Sequence, residues 1–268
     1  LGGTAGEYQN IFYYEASRIM KLRNKDSVLH VHTAYLPTPP SVGEMKSKPV
    51  QTSVHILNSM GIQPDFLVAR GQKTLDKKRK ERLALFCNMD VEDIISNPDV
   101  ESVYDVALIF EEQHFTDRVL NRFRLKPKNK DLKDWSQLAH TVKMVNKEVH
   151  IDMLGKNFAT GDYMLADVYV SVIESIKYAC WANGVKPKMY WVDSDKIEAD
   201  GAAKHLNGMA GIIVPGGFGS RGTEGIVQAV QYARENKIPY FGLCYGMQLA
   251  TVEIARHLAG MDDANSTE

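Results

Sequence analysis

The stretch Pro239-Tyr240-Phe241-Gly242-Leu243-Cys244-Tyr245-Gly246-Met247-Gln248 decides how this chain is read. Residues 239–243 form a short apolar run of strand type, and residues 247–256 have the composition and period of a helix. Cys244 falls on the turn between them, with a glycine two residues away on either side. This is a G-x-nucleophile-x-G elbow with Cys in place of Ser. Such a turn is tight, and glycine is needed where neighbouring backbone comes close. The turn lifts the side chain off the sheet, and the helix N-terminus behind it favours a thiolate. A lone cysteine before a helix also fits a buried structural thiol; the elbow and a second loop favour the reactive reading.

That second loop lies upstream. Residues 210–214, Ala-Gly-Ile-Ile-Val, read as an apolar strand that runs into Pro215-Gly216-Gly217-Phe218-Gly219-Ser220-Arg221-Gly222. A glycine-dense loop at a strand's carboxyl end exposes backbone N–H groups, the donors that acyl transfer needs where a tetrahedral oxyanion forms. In an open α/β sheet both loops belong on the same edge, outside the carboxyl ends of the strands. Residues 217–222 also match G-x-G-x-x-G, the pattern of a phosphate loop. No ribose-binding acid follows at the required distance after a second strand, so the match is accidental.

The chain has 268 residues, 44% hydrophobic and 24% charged, with a net charge of −1. That length suits two domains. The charge balance gives no electrostatic case for nucleic acid or a membrane surface, and no apolar run approaches the ~20 residues of a membrane span. Three cysteines, at 87, 180 and 244, have an odd count and no metal spacing. They suit a reducing, cytoplasmic setting. No signal peptide is visible.

Along the front of the chain, residues 10–21 have helical period, with Phe12, Ala16, Ile19 and Met20 on one face. Residues 27–35 read as strand, 51–60 as helix, 65–70 as strand, 75–86 as a strongly basic helix and 102–110 as strand. Residues 126–147 form a polar linker with one short helix around Trp135 and Leu138. From Val149 a second α/β unit begins: strand 149–154, helix 166–181, strand 188–192, strand 210–214, helix 224–236, then the elbow. Strands alternating with helices predict two doubly wound parallel-sheet domains. Their expected bounds are 1–126 and 148–268, joined by 127–147.

These residues resemble the CTP synthase family. The resemblance rests on Val-Pro-Gly-Gly-Phe-Gly-x-Arg-Gly-x-Glu-Gly at 214–225, Ala-Arg-Glu-Asn-Lys-Ile-Pro-Tyr at 233–240, Cys-Tyr-Gly-Met-Gln at 244–248 and Ala-Asn-Ser-Thr-Glu at 264–268. Upstream it rests on Leu-Gly-Gly-Thr-Ala-Gly-Glu at 1–7, Gly-Glu-Met-Lys-Ser-Lys-Pro-Val-Gln at 43–51, Gly-Ile-Gln-Pro-Asp at 61–65 and Leu-Ala-Leu-Phe-Cys at 83–87. It covers essentially the whole chain in order. It implies the later part of a P-loop-like amidoligase domain, followed by the first part of a flavodoxin-like class I glutaminase domain. The implied activity is amination of UTP to CTP, with ATP as co-substrate and ammonia from L-glutamine. The chain then reads as a middle fragment, expected to be inactive alone because the lysine loop, the Mg-binding acids and the glutaminase His and Glu are expected outside it.

The resemblance also assigns residues. Cys244 is the nucleophile, and Gly217 with the Tyr245 amide forms the oxyanion hole. Gly217, Tyr245, Gly246, Met247, Gln248 and Glu268 contact glutamine. Glu7, Tyr8, Gln9, Lys46, Ser47, Lys48, Pro49, Val50, Gln51 and Arg82 contact UTP or the inhibitory product CTP. Arg70, Pro98, Asp99 and Val100 line the adenosine pocket of ATP. Three positions depart from the family pattern: Tyr245 stands for Leu and is expected to narrow the pocket, Gln9 for an acid and Arg82 for Lys. The departures at Glu7, Gln9 and Arg82 leave CTP feedback open. A homo-oligomer, tetrameric by resemblance, is implied. Two other readings remain: a class I amidotransferase of another synthetase, and a catalytically inactive nucleotide-binding oligomeric subunit.

Overall fold

The computed structural model describes residues 10–129, 131–156, 159–160, 163–164 and 169–267. Glu7, Tyr8, Gln9 and Glu268 lie outside the described residues. The chain divides into two compact units, Leu1–Ala139 and His140–Glu268.

The first unit contains α1 (Ile11–Arg23), β1 (Val31–Leu36), α2 (Lys48–Ser59), β2 (Phe66–Gly71), α3 (Lys77–Cys87), β3 (Ile94–Pro98), α4 (Asp105–Glu112) and α5 (Phe115–Arg122). Helix α6 (Lys133–Met144) runs across the division. Strands β1, β2 and β3 form a parallel sheet in that order. Register pairs Leu36 with Gly71 and Gly71 with Pro98, so the three strands end level and their following loops open on one edge. Leu36, Val50, Val54, Leu67, Leu83 and Ile94 fill the core between the sheet and its helices.

Helix α1 forms where periodicity places it, but Phe12 and Met20 face solvent and none of its described residues is fully buried. It docks through a polar stripe instead. Ser17 Oγ lies 2.6 Å from His30 Nε2, and Lys21 pairs with Asp65. Residues 102–110, read as a strand, are mostly helix α4. The strand of this region is β3, Ile-Ile-Ser-Asn-Pro, whose Ser96 and Asn97 are buried. A strand with polar residues inside needs outside help. Gln113 gives it: its Oε1 accepts from Ser96 N, and its Nε2 donates to Ser96 O, both at 2.8 Å. In the same region, buried Asp93 accepts from Arg118 and Arg122, which fixes α5.

The second unit contains β4 (Glu148–Gly155), the two-residue strands β5 (Ala159–Thr160) and β6 (Tyr163–Met164), α7 (Val170–Ala182), β7 (Lys186–Asp193), α8 (Ser194–Asp200), α9 (Ala202–Leu206), β8 (Gly211–Val214), α10 (Thr223–Glu235), β9 (Tyr240–Gly242) and α11 (Tyr245–Leu258). The main sheet has the order β7-β4-β8-β9, all parallel. In order of appearance this is 2-1-3-4, the flavodoxin-like winding, with its topological switch between β4 and β8. Met153, Ile176 and Cys180 pack one face of the sheet. Leu154, Ile197, Leu206, Ile212, Val214, Val230 and Leu249 pack the other. The elbow helix is tied to α10 by a fork: Arg234 donates through Nε and Nη2 to Glu253, whose side chain is fully buried.

Asp152 is the exception to apolar patterning in β4. It is fully buried, and neither carboxylate oxygen has a hydrogen-bond partner among the described residues. Burial pushes its carboxyl up to about 7. An unfolded Asp titrates near ~4, so the folded state holds an extra proton between roughly pH 4 and 7. The stability this group contributes is fully present below that window and is lost as pH rises through 7. At about 1.4 kcal/mol per unit of pKa displacement the loss is a few kcal/mol. Asp152→Asn, isosteric and unable to ionise, is expected to flatten the fall in melting temperature between about pH 4 and 7. Parallel melting curves for parent and variant would contradict this.

Candidate active site

The carboxyl edge of the second sheet gathers four strand ends. Gly155 pairs with Asp193, and Val214 with Gly242, so Lys156, Ser194, residues 215–222 and Cys244 all follow at that edge. Cys244 is the residue before α11, with φ 50° and ψ −107°. Positive φ at a residue with a side chain costs on the order of 1–3 kcal/mol and persists only when its surroundings impose it. Two glycines impose it. A Cβ on Gly242 would lie 2.4 Å from the Gly246 carbonyl carbon, and one on Gly246 would lie 2.4 Å from the Val214 carbonyl oxygen. No side chain fits either gap. Leu243 N donates to Val214 O at 2.8 Å, and Tyr240 Oη donates to Gly246 O at 2.8 Å, closing the turn onto β8.

The thiol so presented is exposed, unlike those of Cys87 and Cys180, which are buried. Burial pushes the Cys87 thiol up to about 11 and raises that of Cys180 as well. The glycine loop stands directly against Cys244: a Cβ on Gly216 would lie 3.5 Å from Cys244 Cβ and 3.9 Å from its Sγ. Tyr245 opens α11, and the first amides of a helix have no intrahelical partner. Among the described residues no backbone carbonyl takes the Gly217 amide. An exposed thiol at the start of a helix thus stands against a glycine loop, a layout suited to acyl transfer.

Tyr245 does not narrow the pocket. Its ring is 2% exposed and belongs to the core. Its hydroxyl donates to Gly219 O at 3.0 Å and lies 3.3 Å from Thr223 Oγ1. Lys156 donates from Nζ to the same Gly219 carbonyl, and its ammonium stands 4.7 Å from the centre of the Tyr245 ring. Lys156 was not singled out from the sequence, although its place just after β4 at the switch point marks it. Met247 and Gln248 lie in the first turn of α11, with both amides bonded to Cys244 O. His257 is turned onto its own helix, its Nδ1 3.3 Å from Glu253 Oε1.

In the first unit Lys46 Nζ lies 2.8 Å from Glu44 Oε2, and Arg79 Nη2 lies 3.7 Å from Glu44 Oε1. Lys46 first, then Arg79 and Arg82, hold the Glu44 carboxyl below its usual range. Lys46 and Arg79 therefore share one carboxylate; Arg82, whose guanidinium lies 5.9 Å from the centre of the Phe86 ring, adds only a weaker attraction. Ser47, Lys48 and Pro49 form the entry of α2, where Val50 and Gln51 are buried; Gln51 Nε2 donates to Ser47 Oγ at 3.2 Å. Arg70 Nη2 pairs with Asp99 Oδ1 at 3.0 Å, and Asp99 N donates to Gly71 O, which brings Arg70, Pro98, Asp99 and Val100 to the level edge of β2 and β3. Among the described residues no group of three or more His, Cys, Asp and Glu could hold a metal ion, and no described helix is long and apolar enough to cross a membrane.

Comparison with known proteins agrees with this division. Residues 1–125 match the family model described as the CTP synthase N-terminus, and residues 164–267 match class-I glutamine amidotransferase. A synthetase-type module is thus followed by a class I amidotransferase module. CTP synthases of Acaryochloris marina and Pyrococcus furiosus are each 42% identical over 269 residues, covering 100% of this chain and 48% and 49% of theirs. The glutaminase domain of Trypanosoma brucei CTPS, solved with bound acivicin, is 42% identical, covers 45% of either chain and has a TM-score of 0.40. The chain belongs to the CTP synthase family, and it spans about half the length of the curated relatives it matches.

Cys244 is expected to be the first of the three cysteines alkylated by a glutamine-mimicking diazoketone, because burial hinders and protonates the other two. Peptide mass mapping at partial labelling checks the order; Cys87 or Cys180 labelled first would contradict it.

Proposed function

We propose that this chain carries the glutamine-hydrolysing centre, and part of the nucleotide centre, of an enzyme that aminates UTP to CTP at the expense of ATP. The observation that carries the reading is Cys244 held at positive φ between two glycines that cannot bear side chains, with a glycine loop against its sulfur. The Cys244 sulfur attacks the glutamine side-chain amide carbon. The carbonyl electron pair moves to oxygen, which the Gly217 and Tyr245 amides receive. The C–N bond then breaks, ammonia leaves with a proton, and a γ-glutamyl thioester remains for water to cleave. Gly246, Met247, Gln248 and Glu268 bind the glutamine. The general base is assigned, by the family pattern, to a His–Glu pair and not to His257.

In the first unit Lys46 to Gln51 and Arg82, with Glu7, Tyr8 and Gln9, take the UTP or CTP, and Arg70 with Pro98, Asp99 and Val100 takes the ATP adenosine. Lys46 and Arg79 already share the Glu44 carboxylate, Arg82 adds to the positive field there, and a triphosphate would replace Glu44 as their anion. Magnesium is implied by the family, but no described cluster fits it, so no step here passes through it. A cytoplasmic homo-oligomer completes the proposal.

The test is ammonia release from glutamine by the protein at the length of its relatives, with and without UTP and ATP. Release is expected to rise with both nucleotides and to fall at least about a thousandfold in Cys244→Ala. Release that survives Cys244→Ala would overturn the site. Release indifferent to both nucleotides would point to the amidotransferase of another synthetase.

A further inference from the structure

The loop that would form the oxyanion hole has no regular structure between β8 and α10, yet its amides must be aimed to well within an ångström to act. Something outside the loop must hold it. Its far end is held by Arg221, which donates through Nε to Asp195 Oδ2 at 2.7 Å, and its middle is gripped at the carbonyl oxygen of Gly219. Tyr245 Oη donates to that oxygen at 3.0 Å, and Lys156 Nζ donates to it from the opposite strand end. The two grips support each other, since the Lys156 ammonium stands 4.7 Å from the centre of the Tyr245 ring, within reach of cation–π attraction. Thr223 Oγ1 accepts no less a part: it donates to Ser220 O at 2.7 Å and meets the Tyr245 hydroxyl at 3.3 Å.

The placement of these groups is informative. Lys156 follows β4 and the loop follows β8, so the lysine bridges the two strands on either side of the switch point. Tyr245 immediately follows the nucleophile, so one residue supplies an amide to the site and a hydroxyl to the loop. Lys156 is also partly desolvated, which pulls its ammonium below the ordinary lysine range; nearby Asp195 opposes that pull. A lysine placed there for solubility alone would reach into water instead.

We propose that Tyr245 and Lys156 form a clamp on Gly219 that positions the Gly216–Gly217 backbone over the Cys244 thiol. Neither side chain touches substrate; both are positioning residues. The inference rests on the glutamine reading of Cys244 and goes beyond it, because it assigns a role to two side chains that glutamine chemistry does not itself require. Ring and hydroxyl have separable duties: the ring fills the core, and the hydroxyl aims the loop.

Two probes separate aiming from folding on the protein at the length of its relatives. Iodoacetamide alkylates the Cys244 thiol directly and needs no oxyanion hole. The glutamine-mimicking diazoketone reacts when its diazo carbon has gained a proton, in net the one the Cys244 thiol gives up: the thiolate sulfur bonds to that carbon as the C–N bond breaks and dinitrogen leaves, with the adjacent ketone oxygen seated at the loop. Tyr245→Phe and Lys156→Met are each expected to slow diazoketone labelling of Cys244 about tenfold and to leave iodoacetamide labelling within about twofold. Lys156→Met removes a partly exposed side chain, so it keeps the test open if Tyr245→Phe unfolds. Equal slowing of both reagents, or no slowing of the diazoketone, would overturn the clamp. Absence of saturable diazoketone labelling in the parent chain would overturn the glutamine reading, and the clamp with it.

Discussion

The site depends on how closely the 242–246 turn is pressed against the end of β8. The gap between Gly246 and Val214 O leaves no room for a single carbon atom. That closeness sets the path of the chain into α11, along which Cys244 holds a φ of 50°. The strain at Cys244 is therefore imposed from both sides and is offset by the packing of β9 and α11. Tyr240, Tyr245 and Leu249 contribute to that packing, and the buried Glu253–Arg234 fork locks α11 to α10. Removing Arg234 would leave the fully buried Glu253 carboxylate without its fork. The scaffold is stiff where the chemistry needs it to be.

Winding does the rest. Four parallel strands deliver four loops to one edge, and the switch between β4 and β8 opens a crevice there. The glycine loop comes from β8, Cys244 from β9 and Lys156 from β4. Residues 63 and 67 positions apart in sequence meet because of strand order alone. In the first unit the same logic brings Lys46, Arg70, Arg79 and Asp99 to the level ends of three strands.

Much of the second unit is legible in the sequence, because its apolar strands alternate with amphipathic helices and each glycine cluster marks a strand's end. Cys244 is legible for a steric reason: two glycines at that spacing have few other uses. The first unit is harder. Residues 102–110 are apolar enough to pass for a strand, and a run so short does not distinguish the two. Strand β3 hides because Ser96 and Asn97 are polar and buried, and its compensation comes from Gln113, far along the chain. The polar docking stripe of α1 hides for a related reason, since periodicity finds apolar faces and not hydrogen-bonded ones. The clamp on Gly219 was not legible at all: nothing in the sequence says that Tyr245 and Lys156 share a carbonyl.

The central claim is that the elbow aims Cys244 at a carbonyl whose oxygen lies among the Gly217 and Tyr245 amides. A crystal structure of the chain alkylated by the diazoketone tests it most directly. The account predicts a covalent bond to Cys244 Sγ, Cys244 still at positive φ, and the ketone oxygen within about 3 Å of both amide nitrogens. A ketone oxygen turned to solvent, or a Cys244 relaxed to negative φ, would contradict it.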